Sequence, residues 1–269
     1  MSSPLWRRIL SDVLRVAPAR GRADTGEFSI EGTRLVERAL RAQVDLRRAV
    51  VAEEYGSEVR ESALLEALDE AGVAVARAPR SQIDALTDGR NLGPILALAG
   101  LLPRRSPAEL MARPGAVLVG CRTFDAGNVG ALIRTAHALG AAGWCGVDAC
   151  DPHHPRAVQT SRGSLFRLPL AQAARLEEVR AAAQDANRPL VGAVTDGSPD
   201  LDAIPANAVL VLGSEAHGLT PAEGGLLDVA VRIQTAPDVD SLSINAAASI
   251  VLWAASRNRA RRPPPAPAR

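Results

Sequence analysis

The chain contains no lysine: all 31 basic residues among its 269 are arginine. Genomic base composition is the simplest account of that bias, and it assigns no function. Cysteine is nearly as scarce, with Cys121, Cys145 and Cys150 the only three. An odd number that small excludes a disulfide scaffold and predicts reduced thiols used for packing. No apolar run is long enough to span a bilayer, and the opening stretch "MSSPLWRRILSDVLRVAPARGR" has no uninterrupted apolar core ahead of a small-residue cleavage site. A cytoplasmic protein without a membrane partner is therefore expected. Neither G-x-G-x-x-G nor G-x-x-x-x-G-K-[ST] occurs, which argues against nucleotide triphosphates and nicotinamides. No repeat of fixed period is present.

What the chain does have is enough apolar material for a sizeable core, 47% of the residues in 28.1 kDa. Its net charge of +1 conceals an uneven distribution: five Arg against Asp12 alone in residues 1–22, and five Arg with no acid in residues 257–269. Residues 113–256 carry ten Arg against fourteen acids, net −4, so a polyanion would be held from the basic edges rather than across the middle. Residues 28–99 alternate strand-like and helix-like runs, from "FSI" and "GTRLVERALRA" to "PILALAG". Leu35, Val36, Ala39 and Leu40, like Leu64, Leu65 and Leu68, give each helix one apolar stripe, which predicts a small α/β unit. The Pro- and Arg-rich "LLPRRSPAELMARPG", residues 101–115, reads as a linker.

A second α/β block opens with "AVLVG". Near-continuous apolar strands such as "AVLVLG" predict a mainly parallel sheet covered on both faces. In such sheets ligands gather at the carboxyl ends of the strands. Three loops there have unusual chemistry: "RTFDAGNVG", then "GSEAHGL" at residues 213–219, then "QTAPDVDSLSIN" at residues 234–245. The second reads G-x-E-x-x-G, in which two glycines allow close backbone approach and Glu215 adds a negative charge.

The ordered stretches "DAGNVGALIRTA", "LVLGSEAHGLT" and "IQTAPDVDSLSINAAASI" resemble the three motifs of the SpoU, or TrmH-like, RNA 2′-O-methyltransferases of the SPOUT superfamily, and "FSIEGTRLVERAL" resembles the start of their small substrate-binding domain. The resemblance implies an α/β fold of two parts. Residues 1–112 would hold a basic arm and an α/β RNA substrate-binding domain, residues 113–260 a trefoil-knot methyltransferase domain, and residues 261–269 a disordered tail. It further implies S-adenosylmethionine bound at the knot, ribosomal or transfer RNA as substrate, and a homodimer. Independently, the closing helix of residues 246–256 is apolar on nearly every side and must be buried, under the knot or against a second subunit.

Carried over residue by residue, Asn128 and Arg134 match the first motif's Asn and catalytic Arg. Methyl transfer to a ribose hydroxyl needs the nucleophile positioned and its proton drawn off. A guanidinium stays protonated, so Arg134 is expected to grip a phosphate by a forked contact and lower the hydroxyl's pKa. Asn128, where the helix is read to begin, is also a candidate N-cap. Glu215 is expected to hold Arg134 or Asn128, or to cap a turn. Leu212, Gly213 and Gly218, with Ile233 and Leu242, would line the cofactor pocket, and Arg20, Arg22, Arg34, Arg156 and Arg162 are candidate RNA contacts. The third motif departs from the family's Ser-Leu-Asn, reading Ser241, Leu242, Ser243 with an Asn only at 245. Ser243 is expected to take over the missing amide's contact. Asn245, about 200° away on a helical cycle, is expected to face backbone or a partner subunit.

Two other readings compete: a non-catalytic RNA-binding or ribosome-assembly protein on the same fold, and a hydrolase using Ser214 and His217, against which stands the absence of G-x-S-x-G. "CGVDACDPHHP" gathers Cys145, Cys150, His153 and His154, but the spacing fits no common zinc site and no metal is expected.

Overall fold

The computed structural model describes residues 4–87, 93–198, 200–239 and 241–261. These form two units, Met1–Leu102 with Asp151–Phe166, and Pro103–Cys150 with Arg167–Arg269.

The first unit opens with helices α1 (Leu5–Val16) and α2 (Ala19–Thr25). The stretch read as a basic arm is thus folded: Ile9, Leu10, Val13 and Val16 make one apolar stripe that packs on Val50, Leu96 and Leu98. A four-stranded sheet follows, built from β1 (Glu27–Glu31), β2 (Leu46–Ala52), β3 (Ala74–Ala78) and β4 (Ile95–Gly100) in the order β1-β4-β2-β3. Strand β4, buried at every residue, pairs antiparallel with both neighbours, and β2 pairs parallel with β3. Helices α3 (Thr33–Arg41), α4 (Val59–Glu70) and α5 (Arg80–Asp84) connect the strands.

The second unit is a seven-stranded sheet. Its strands are β5 (Arg104–Arg105), β6 (Val117–Cys121), β7 (Gly143–Val147), β8 (Leu170–Ala173), β9 (Leu190–Ser198), β10 (Val209–Leu212) and β11 (Val229–Val231). They lie in the order β11-β9-β10-β6-β7-β8-β5, and every pairing among the described residues is parallel. Helices α6 (Pro107–Met111) and α9 (Leu176–Asp185) cover one face. There Leu110, Leu176 and Val179 pack with Val117, Val119, Val209 and Val211. Helices α7 (Ala126–Ala138) and α11 (Ile244–Arg261) pack on each other and on the strands of the other face. The short helix α10 (Pro221–Gly224) leads into β11. Cys121 and Cys145 are buried, and burial pushes both thiols up to about 12, so they are protonated packing residues at neutral pH.

Two organisational expectations change. Residues 104–111 are no linker: β5 pairs with β8, and α6, capped reciprocally by Ser106 and Glu109, packs on the sheet. The first boundary therefore falls at 102/103 rather than 112/113. Residues 151–166, including helix α8 (Pro155–Thr160), lie inside the second block in sequence but fold with the first unit. The buried Arg22 donates from Nε to Asp151 Oδ2 at 2.8 Å, and the Leu102 amide donates to His153 Nε2 at 3.2 Å. Arg38 donates to the Arg162 carbonyl. Arg261 is the last residue of α11, and the rest of the expected tail, 262–269, lies outside the described residues.

Candidate active site

Strands β6 and β10 are adjacent and parallel, so the loops leaving their carboxyl ends emerge side by side. The first loop ends at Asp125, whose Oδ1 accepts the Asn128 amide at 2.9 Å and so caps α7. The helix thus begins two residues ahead of Asn128, and Asn128 is not the cap. With its backbone already in the helix, its side-chain amide is available for contacts outside it.

Those contacts join all three loops. Asn128 Nδ2 donates to Glu215 Oε1 at 2.5 Å, and Asn245 Nδ2 donates to Asn128 Oδ1 at 3.2 Å. The direction of this relay is fixed from one end. An ionised carboxylate only accepts, so Asn128 must turn its NH2 to Glu215, which leaves its oxygen for Asn245. Asn245 Oδ1, at the far end, is buried without a hydrogen-bond partner among the described residues.

The third-motif expectation is corrected here. Helix α11 starts at Ile244, so Ser243 lies just outside it. Its hydroxyl accepts the Ala246 amide at 3.3 Å and its carbonyl the Ala247 amide at 3.0 Å, the pattern of an N-cap. The 200° separation assumed both residues to be helical. Ser243 caps, and Asn245 supplies the amide that reaches Asn128.

The second loop is a closed turn. Ser214 and Gly218 exchange two backbone hydrogen bonds of 2.9 and 3.1 Å, and Ser214 Oγ accepts the His217 amide at 3.2 Å. Gly218 has φ +64°, which favours glycine, and a Cβ on Gly213 would sit 2.1 Å from the Gly218 carbonyl carbon, so Gly213 admits no side chain. Arg122, not singled out from sequence, ties this turn to the first loop: Nη2 donates to the Gly218 carbonyl at 2.9 Å, and Nη1 donates to Glu223. The Glu223 hydrogen bond raises the Arg122 pKa. Burial pushes the Glu223 carboxyl up, but hydrogen bonds from Arg122 and Thr220 outweigh it and the net shift is downward. The sequence signal for this pairing was slight. Thr220, Pro221 and Glu223 spell a capping box, which is present, but nothing near Arg122 points to it.

The remaining positions sort as follows. Arg134 is exposed on α7, and its side chain makes no hydrogen bond or ion pair among the described residues. At 100° per residue it stands about 120° around the helix from Asn128, and it does not join the relay. Leu212 is buried in β10, Gly213 partly so, and Ile233 and Leu242 are half-buried on the third loop. Arg20, Arg34, Arg156 and Arg162 are exposed, all in the first unit. Arg22 is 2% exposed, and besides Asp151 it donates to the carbonyls of Val16 and Ala17. Its guanidinium is spent inside the fold, which removes it from the candidate RNA contacts.

Comparison with known proteins follows this geometry. Residues 115–253, more than half the chain, match the SpoU rRNA Methylase family, and residues 13–97 match the MRM3-like substrate binding domain. A 23S rRNA (adenosine(1067)-2′-O)-methyltransferase of Streptomyces laurentii is 33% identical over 63% of this chain and 64% of its own. A 23S rRNA (uridine(2479)-2′-O)-methyltransferase of Streptomyces viridochromogenes is 36% identical over 51% of each. The chain thus spans about half to two thirds of the length of these relatives. Among solved structures, an RNA 2′-O ribose methyltransferase superposes with a TM-score of 0.79 at 27% identity, covering 94% of this chain and 96% of the other. The SpoU methyltransferase AviRb of Streptomyces viridochromogenes, in complex with AdoMet, shares the fold with a TM-score of 0.84 at 24% identity, covering 94% and 98%. With its three loops joined through Asn128 inside the matched span, the chain belongs to the SpoU rRNA methylase family.

Proposed function

We propose that the protein transfers a methyl group from S-adenosylmethionine to a ribose 2′-hydroxyl of ribosomal RNA. One observation carries the reading: a hydrogen-bond relay, Asn245 to Asn128 to Glu215, unites the three motif loops at the carboxyl ends of parallel strands. The cofactor, when bound, supplies an electrophilic sulfonium methyl. The residues present fit it. Leu212, Ile233 and Leu242 offer apolar surface for an adenine, and Gly213 and Gly218 offer backbone without side chains. The turn of residues 213–220 contains no Arg, which suits a cofactor lacking phosphates.

In this reading the relay holds the Asn128 amide and the Glu215 carboxylate in one orientation at the ribose. Arg134, unengaged among the described residues, takes the neighbouring RNA phosphate by a fork, and its charge favours the ionised hydroxyl. The proton leaves to phosphate or water. Ser243 acts on the site only through the start of α11. The first unit, with Arg20, Arg34, Arg156 and Arg162 on its surface, serves as the RNA-holding part.

The reading includes a trefoil knot, supported by the family match and the strand order, and a homodimer. A groove between α7 and α11, lined by Thr135, Ala138, Leu139, Ser249, Ile250 and Trp253, supports the dimer. Trp253 stands 52% exposed there, and Ala138 lies one helical turn from Arg134. A partner seated in this groove would border Arg134. No helix among the described residues is long and apolar enough to cross a membrane, and the reading places the enzyme in the cytoplasm with its RNA.

The test is transfer of label from methyl-labelled S-adenosylmethionine to unmodified ribosomal RNA, read as 2′-O-methylnucleosides by mass spectrometry. The expected result is a single labelled nucleoside, lost in Arg134→Ala and Arg134→Lys while cofactor binding persists. RNA and cofactor binding without any transfer would establish the non-catalytic alternative instead.

A further inference from the structure

We propose that Arg122 is a positioning residue for the cofactor: a clasp that holds the second-motif turn in its binding shape. The inference rests on the methyltransferase reading and deepens it, because it assigns a function to a residue outside all three motifs. Three observations converge on this side chain. Its backbone has φ +51°, a left-handed conformation that arginine adopts rarely and at a cost. Such a residue persists where the surroundings over-determine it. Its guanidinium is shared between two elements, with one nitrogen on the Gly218 carbonyl at 2.9 Å and another on Glu223, at the start of α10. The same Gly218 carbonyl also accepts the Ser214 amide at 3.1 Å, so Arg122 grips the oxygen that closes the turn.

Besides Arg122 and Asn128, which holds the Glu215 side chain, no side chain outside the second loop hydrogen-bonds this turn among the described residues, and burial adds little. Ser214, Glu215, Ala216, His217 and Gly218 include no fully buried residue, and Gly213 packs against Gly218 backbone to backbone, with no side chain to anchor either. Arg122 leaves from the end of β6, adjacent to β10, and thereby references the turn to the sheet. Glu223 fixes the guanidinium from the other side while its second oxygen accepts the Thr220 amide at 2.7 Å. Removing the clasp leaves every motif residue in place but frees the backbone that the cofactor must find preorganised. The loss should appear in cofactor affinity rather than in the chemical step.

Three measurements on this chain test this. In calorimetric titration with S-adenosylmethionine, Arg122→Ala and Arg122→Lys are expected to weaken binding about tenfold or more, the scale of a hydrogen bond to a charged group. Lysine fails because one ammonium cannot span both acceptors. KM for the cofactor should rise in parallel while kcat at saturation stays within about twofold of wild type, the pattern of lost uniform binding. In the ligand-free protein, the amides of Ser214 and Gly218 should exchange with deuterium faster in both variants. Unchanged exchange, or cofactor affinity equal to wild type, overturns the clasp. A wild-type protein that binds no S-adenosylmethionine overturns the methyltransferase reading, and the exchange measurement then still decides the clasp.

Discussion

Among single residues, Ser243 and Asn245 divide the work at the start of α11: Ser243 caps the helix, and Asn245 donates to Asn128. Asn128 and Glu215 stand in motifs, and their pairing was legible. The Asn245 contact was not, because it depends on where α11 begins, and a start at 246 instead of 244 would move the cap from 243 to 245. Arg122 was illegible for another reason: its partner Glu223 is 101 residues away, and no local pattern encodes the pairing. The relay gives a prediction for catalysis. Asn245→Ala should lower turnover about tenfold, the scale of one hydrogen bond that fixes Asn128, with little change in melting temperature. Ser243→Ala should do the reverse, leaving turnover near wild type and costing about 1 kcal/mol of stability as a lost N-cap. Ser243→Asn keeps a capping side chain and should be neutral in both. A stable, fully active Asn245→Ala would dismiss the relay from the mechanism.

Helices and strands followed the apolar periodicity wherever a stripe or a continuous run existed, as in α3, β4, β6 and β10. The failures came where those signals are weak. Strand β5 is two exposed arginines, which read as linker because an edge pairing needs no apolar residue. The Ser106-Pro107-x-Glu109 start of α6 is a capping signal set among prolines that otherwise read as linker. Helix α7 began earlier than expected because Asp125, not Asn128, is its cap. Asp125→Ala should therefore destabilise the second unit by about 1 kcal/mol and also release the first turn that carries Asn128. Denaturant unfolding with parallel kinetics measures both, and loss of stability without loss of turnover would show that the relay alone suffices to hold Asn128.

For the whole molecule, the two-unit division was legible and its path was not. Composition gives no sign that residues 151–166 rejoin the first unit, since the anchoring pair of Arg22 and Asp151 is 129 residues apart in sequence. That anchor has a pH signature. Burial pushes the Asp151 carboxyl up, but hydrogen bonds from the His153 side chain and backbone and from Arg22 outweigh it and hold the group well below its ordinary 3.8. A lowered folded-state pKa means the stabilisation is fully present above that ordinary value and is lost as pH falls below it. The melting temperature of Asp151→Asn should accordingly lie well below wild type at neutral pH, with the gap shrinking towards about pH 3. A gap independent of pH would show that shape, not charge, is what the site needs.

The chain passes between its two units three times, at 102/103, 150/151 and 166/167. Neither unit is a contiguous cassette. Gene truncation before residue 103 would discard the strands and helices on which Ala157, Val158, Leu165 and Phe166 bury themselves, turning α8 and its flanks into an adhesive apolar ribbon on whatever remained. The first unit therefore cannot be exchanged for another by a single recombination event. Change in that unit is confined to substitution within it, or to exchange of both of its segments together.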